Sequence, residues 1–279
     1  MVEITAALVK KLRDATNVSM MECKRALQDA EGDLDKAAVL LRERGMATAA
    51  KKSTRTANQG LVASAVAPDR RSASLVEVNC ETDFVARNTN FQEFVESLAR
   101  RALETDENLP ETCKEEVVAK VAEIGENIVI ARNSRLVLEG NGRIESYIHL
   151  GGKVGVLLDL GCEKAETEQS PVFAEVARDL VLHVAACAPK YLTSDEVPED
   201  EVAAEREIYA KQVQDKPANI IDKIVDGKIR KYFAEVCLLD QGFVKEPKQA
   251  VKALLAEKGK EVDDTLTIRR FALYQLGRP

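Results

Sequence analysis

Six cysteines (Cys23, Cys80, Cys113, Cys162, Cys187, Cys237) and two histidines (His149, His183) are the side chains of this 279-residue chain best able to hold a metal or attack a substrate. Their spacing argues against both. Zinc sites draw ligands in pairs a few residues apart, and no Cys-x-x-Cys pair occurs. Isolated thiols of this kind read as small buried hydrophobes. Gly151-Gly152-Lys153 resembles a phosphate-binding loop only superficially, because the second half of the motif is missing, and no dinucleotide fingerprint, zincin motif or nucleophile elbow is present. The expectation is a protein that binds no metal or cofactor and works by contact rather than by covalent chemistry. The charge is 40 Lys and Arg against 47 Asp and Glu, a net of −7, which opposes binding to nucleic acid through its phosphates. Seven Phe, five Tyr and no Trp leave little aromatic surface for stacking bases. No apolar run reaches membrane-spanning length. Glu3 precedes Lys10, Lys11 and Arg13, the wrong order for a secretory signal, so a cytoplasmic protein without membrane partners is expected.

The elements that must position any contact surface are legible in the periodicity. Thr5 to Arg13, Ser19 to Asp29 and Asp33 to Arg44 each carry a helical apolar stripe, with Ile4, Leu8 and Leu12 on the first. Ser19 and Glu22 form a capping-box pattern, Asp33 is placed to cap the third helix, and Gly45 to end it. Residues 1–45 are thus expected as a three-helix domain. Residues 1–59 hold 11 Lys and Arg against 8 Asp and Glu, so this end is basic within an acidic chain. Either that is a solvated surface or it docks an acidic partner. Residues 46–59 read as a linker, with at most one helical turn at Ala49 to Lys52.

From residue 60 onward the chain repeats. A shift of 82 residues superimposes Gly60 on Gly142, Ser64 on Ser146, Leu75 on Leu157, Cys80-Glu81 on Cys162-Glu163 and Phe91 on Phe173. The identities are few, and the weight lies in the matched order of elements. Each half opens with two strands, Leu61 to Ala67 and Ser74 to Cys80, then Arg143 to His149 and Val154 to Gly161. A helix follows with one apolar face, Phe91, Phe94, Val95, Leu98 and Ala102, matched by Phe173, Val176, Ala177, Leu180 and Val184. A second helix is expected to be capped by Gly125 in one half and Gly259 in the other. A third strand closes each half, with Arg132 aligned to Arg269 and Glu77 already aligned to Asp159. The fold class is therefore α+β: the helical domain, then core subdomains over 60–140 and 141–279, each a three-stranded antiparallel sheet with helices on one face. The second half carries an insertion at about 199–235 that reads as two helices about Asp215-Lys216-Pro217, with Pro217 at a first helical position. It either covers its own apolar seam or serves as a docking arm.

The halves differ after the second strand. The first has Glu81-Thr82-Asp83-Phe84-Val85-Ala86-Arg87-Asn88, the second the polar Glu163-Lys164-Ala165-Glu166-Thr167-Glu168-Gln169-Ser170. Thr89 and Gln92 suggest a capping box that starts the long helix near Asn90, with Phe84 in the loop before it. Phe84-Val85 is either a staple onto that helix or an exposed apolar plug for a partner. His149, ending a strand before two glycines, reads as a solvent-facing residue, and His183 as core or near-core.

The run Asn79-Cys80-Glu81-Thr82-Asp83-Phe84-Val85-Ala86 resembles bacterial elongation factor Ts, the nucleotide-exchange factors of elongation factor Tu. So do Ser19-Met20-Met21-Glu22-Cys23-Lys24-Arg25-Ala26-Leu27, Ile124-Gly125-Glu126-Asn127-Ile128, Ser146-Tyr147-Ile148-His149 and Phe243-Val244-Lys245-Glu246-Pro247. The resemblance implies a ubiquitin-associated-type domain at the N-terminus and elongation factor Tu as partner, without direct nucleotide binding. It implies that Thr82, Asp83, Phe84 and Val85 form the loop that dislodges magnesium from that partner, with Phe84 as wedge. It implies further contacts at Ile124, Gly125, Asn127 and His149, and at Leu12 and Met20 of the N-terminal domain. Two other classes are carried beside it: an RNA-associated translation protein using Lys51, Lys52 and Arg55, and an adaptor built on residues 1–45.

Overall fold

The computed structural model describes residues 4–213 and 217–278. Helices α1 (Ala6–Thr16), α2 (Met20–Asp29) and α3 (Leu34–Lys52) enclose a small core around Val9, Leu12, Cys23, Leu27 and Leu41. The Ser19 hydroxyl caps α2 by accepting from Glu22 N at 3.3 Å, and Asp33 caps α3 through the amides of Asp35 and Lys36, both at 3.0 Å. Glu22 does not complete the capping box, and pairs with Arg25 instead.

The third helix does not end at Gly45. It continues to Lys52, so the first half of the expected linker is helical. The reason is tertiary. Gly45 is the point at which α3 meets α7 (Lys114–Ile124), where a Cβ would come within 3.1 Å of the Ala122 Cβ. The glycine permits close helix contact rather than ending a helix. Arg42 pairs with Glu115 along the same seam, and the Lys52 ammonium donates to the Gly125 carbonyl at its end.

The core holds two three-stranded antiparallel sheets. The first has the order β1 (Gln59–Val66), β2 (Ser72–Cys80), β3 (Ile128–Val137). The second has the order β4 (Gly142–His149), β5 (Val154–Gly161), β8 (Thr267–Gln275). On the outer face of the first sheet lie α5 (Thr89–Glu104) and α7, with Val76, Val78, Phe91, Val95 and Leu98 between them. The short α6 (Leu109–Thr112) packs on β3. On the outer face of the second lie α8 (Pro171–Cys187) and α11 (Val251–Glu261), over Val156, Leu158, Leu160, Phe173 and Leu180. Alternation along the strands sends the other residues, Val62, Leu75, Ile144 and Leu157, into a layer between the sheets.

That layer carries a local twofold relation. Ser146 Oγ donates to Ser64 Oγ at 2.8 Å, joining the two serines that the 82-residue shift superimposes. Val62 N donates to Gly152 O at 2.8 Å, while Ile144 N donates to Arg70 O at 2.9 Å, the same bond with the halves exchanged. Buried Glu77 meets Arg132 at 2.8 Å, and its counterpart Asp159 meets Arg269 at 3.1 Å and Arg270 at 3.3 Å. Each acid sits beside a register shift between the second and third strands of its sheet.

Three further boundaries differ from the expectation. Asn88, not Thr89, caps α5, its side chain accepting from Asn90 N at 2.9 Å. Gly259 lies inside α11, where Asp264 N donates to its carbonyl, and the helix runs to Glu261. In the insertion, helices α9 (Glu199–Gln212) and α10 (Ala218–Val236) follow the expected stripes, but Pro217 precedes α10 as its capping residue. Asp215 and Lys216 lie outside the described residues. Val202, Tyr209, Val213, Val225 and Ile229 pack on one another, so the hairpin covers its own seam. Its base is fastened by Glu201, which accepts from both Tyr191 OH, at 2.7 Å, and Tyr232 OH.

His183 is fully buried on α8, as a core residue. Gln241 donates its amide to the Cys187 and Glu235 carbonyls, so its oxygen accepts from His183 Nε2 at 3.0 Å. Nδ1 in turn accepts from Val244 N at 3.1 Å, which fixes the neutral tautomer and secures the turn between β6 (Gly242–Phe243) and β7 (Glu246–Ala250). Burial holds this imidazole below its ordinary 6.5. The unfolded chain therefore takes up a proton near pH 6.5 that the folded one refuses. This contribution to stability is complete above that pH and is lost as pH falls below it. Thermal melts between pH 8 and 5.5 are expected to show a decline of at most about 1.4 kcal/mol per pH unit from this group. His183→Gln should flatten that decline; an unchanged slope would reject the assignment.

Candidate partner-binding site

Strand β2 ends at Cys80, and the chain turns at Glu81 into a single helical turn, α4 (Asp83–Ala86). Phe84 thus lies in a helical turn and not in an irregular loop. Thr82 caps the turn, its Oγ1 accepting from Val85 N at 3.3 Å. The helical spacing plants Ala86 in the core and packs Val85 against it, which leaves Phe84 pointing away and 80% exposed. A staple onto α5 would bury the ring, so the exposure removes the staple reading of Phe84. Asp83 forms an ion pair with Arg87 at 2.9 Å, one turn along. Beneath the turn the Cys80 thiol donates to Thr82 O at 3.2 Å, and burial pushes its pKa up to about 11. It stays protonated at neutral pH, as a packed thiol does.

The turn is held from the side by the α7–β3 connection. Glu126 accepts from Glu81 N at 3.1 Å and Thr82 N at 3.0 Å with one oxygen, and from Thr82 Oγ1 at 2.6 Å with the other. Glu81 returns the bond, accepting from Asn127 N at 2.7 Å, and this amide holds its carboxyl below the ordinary range. The Asn127 side chain donates to Arg55 O at 2.8 Å, and Arg55 lies 3.4 Å from Glu81. The segment after α3, the Phe84 turn and residues 124–127 therefore form one bonded unit.

The expected contact residues divide accordingly. Thr82 to Val85 and Ile124, Gly125 and Asn127 are brought together. Within that group Gly125 is an exposed left-handed helix cap, Ile124 is half-buried against the core, and Asn127 is buried. Asn127 is thus a residue that holds the site rather than a surface contact. His149 is exposed on the second sheet, its Nδ1 2.7 Å from Tyr147 OH. The turn that follows it meets the start of β1: Lys153 donates to Gln59 Oε1, and Gln59 pairs with Cys80. His149 and Phe84 hence flank the same end of β1. Met20 is exposed at the start of α2. Leu12 is 2% exposed, and the expectation of a contact there is corrected: its stripe faces the domain's own core.

Glu126 is the residue that periodicity could not find. Its partner in the second half is Asp264, which accepts from Glu163 N at 3.2 Å and Lys164 N at 3.0 Å. The signal was present as an acid between the last helix and third strand of each half. The inserted hairpin changes the alignment shift between the halves and hides it. Among the described residues no group of three or more His, Cys, Asp or Glu side chains converges on a metal position. No described helix is long and apolar enough to cross a membrane.

A family model described as Elongation factor TS matches residues 81–278. The chain is 43% identical over 286 residues to "Elongation factor Ts" of a Nitratiruptor species, covering 98% of this chain and 93% of that protein. It is 42% identical over 289 residues to the protein of that name from Clostridium novyi, with the same coverage. To that of Nitratidesulfovibrio vulgaris it is 40% identical over 276 residues, 98% of this chain and 96% of the relative.

Proposed function

We propose, from the premise that this chain belongs to the elongation factor Ts family, that it is a cytoplasmic guanine-nucleotide exchange factor for elongation factor Tu. The observation that carries the mechanism is the exposure of Phe84 on a turn whose backbone is fastened on both sides. An aromatic side chain held out on a rigid support suits insertion into a pocket, because little conformational freedom is lost on binding. In the complex Phe84 wedges between elements of the partner's GTPase domain, and Asp83, steadied by Arg87, stands beside the displaced magnesium site. GDP and Mg²⁺ hold one another in place, so disturbing the ion and the phosphate loop weakens both. By linkage, the factor by which this protein lowers GDP affinity is the factor by which GDP lowers its own. It stabilises the nucleotide-free partner until GTP enters. No bond of GDP is made or broken, and no catalytic group is required.

His149, Gly125, Ile124 and Met20 supply further contact surface for the partner. The test is the release of fluorescent GDP from elongation factor Tu with and without the protein. Acceleration at substoichiometric amounts supports the reading; an unchanged rate overturns it.

A further inference from the structure

We infer that Glu126 is the positioning residue of the Phe84 turn, its carboxylate setting the direction in which the aromatic ring leaves the protein. The inference rests on the exchange reading above. A ring that is 80% exposed is not aimed by its own packing. Its direction is inherited from the backbone at Thr82 and Asp83, where the chain leaves β2 and enters α4. Three donors at that corner, two amides and the Thr82 hydroxyl, end on the two oxygens of Glu126. Two oxygens bound to three donors resist rotation of the corner about its own axis, which a single bond would not. Bonds of this kind, to an ionised acceptor, are the stronger ones.

Comparison of the halves separates this role from simple loop closure. Asp264 takes the two equivalent amides and the Thr167 hydroxyl, the last at 2.6 Å. There the segment from Ala165 to Gln169 forms a 3-10 turn with no large apolar side chain to present. The reverse bond, from Asn127 N to Glu81, has no counterpart in the second half among the described residues. The half that displays Phe84 is therefore fastened in both directions, and the half that displays nothing in one.

The experiment measures fluorescent GDP release from elongation factor Tu against rising concentrations of the full-length protein. It yields a plateau rate and a half-saturating concentration. A misdirected ring docks through the remaining surface but fails to open the nucleotide site, so the plateau should fall while half-saturation holds. Glu126→Ala is expected to lower the plateau at least fivefold with half-saturation within twofold of wild type. Glu126→Gln, which keeps one acceptor oxygen for the amides, should retain about half the plateau. Asp264→Ala removes the matching clamp far from Phe84 and should leave the plateau unchanged, with circular dichroism reporting the folding of all three. A wild-type plateau in Glu126→Ala, a rise in half-saturation alone, or an equal loss in Asp264→Ala overturns the inference. Should Glu126→Ala fail to fold, Glu126→Gln decides, and a full plateau there overturns it. A wild-type protein that releases no GDP rejects the exchange reading itself, and this inference with it.

Discussion

Phe84→Ala is expected to slow GDP release from elongation factor Tu at least tenfold while leaving the melting temperature of the free protein nearly unchanged. The two halves of that result have separate causes. Truncating a side chain that is 80% exposed removes few contacts, and such surface changes cost about 0.5 kcal/mol or less. An aromatic anchor at an interface commonly contributes about 2 kcal/mol or more, which exceeds a tenfold change in rate. Phe91 is the internal control. It lies seven residues further along, fully buried beneath the first sheet, and Phe91→Ala should cost roughly 3–5 kcal/mol. Melting curves and release rates measured together on both variants separate anchor from core. Loss of folding in Phe84→Ala, or an unchanged release rate, would remove the plug assignment.

Gly60→Ala is expected to destabilise the fold by about 3 kcal/mol in urea unfolding. Gly60 sits at φ +138°, a region that L-residues rarely enter, and an added Cβ would be driven into the Val78 carbonyl of the neighbouring strand. Backbone strain of this kind costs roughly 1–3 kcal/mol, and the collision adds to it. Gly142, its equivalent in the second half, has φ +144° and meets the Leu160 carbonyl in the same way. Gly151→Ala provides the contrast. Gly151 also has positive φ, at +61°, but nothing lies within 4 Å of an added Cβ, so the cost should stay near 1 kcal/mol. Equal losses at Gly60 and Gly151 would reject the steric explanation.

The superposition of Gly60 on Gly142 illustrates what a single sequence can disclose. Periodicity locates helices such as α5, because Phe91, Val95 and Leu98 must share a face whatever the helix packs against. Duplication locates the sheets, because both halves need the same strand order. Neither signal says what distant segments do to each other. Gly45 looks like a helix terminator until α7 lies beside it. Asn127 looks like a surface residue until its side chain is found on the Arg55 carbonyl. Leu12 and Met20 share a motif-bearing domain, and only the packing of three helices tells which of them reaches solvent. At the site, Thr82 to Val85 could be singled out because the second half lacks their apolar character. Glu126 acts across 44 residues of chain and left no local pattern.

The unbroken course of α3 bears on how partners are chosen. A flexible tether over residues 46–59 would let the N-terminal domain wander with a root-mean-square reach of roughly 20 Å, adapting to almost any spacing at a millimolar effective concentration. The structure has instead a 19-residue helix, about 28 Å long, seated on α7 and fastened by Lys52 at the edge of the Phe84 site. If both ends dock as the proposed function requires, two surfaces joined by a stiff rod behave as a caliper. A partner whose own two surfaces match its span gains the second contact with little further search, and one whose surfaces are set a few ångströms wider or narrower gains none of it. Selectivity of that sort resides in a length, and no substitution at either surface would reveal it.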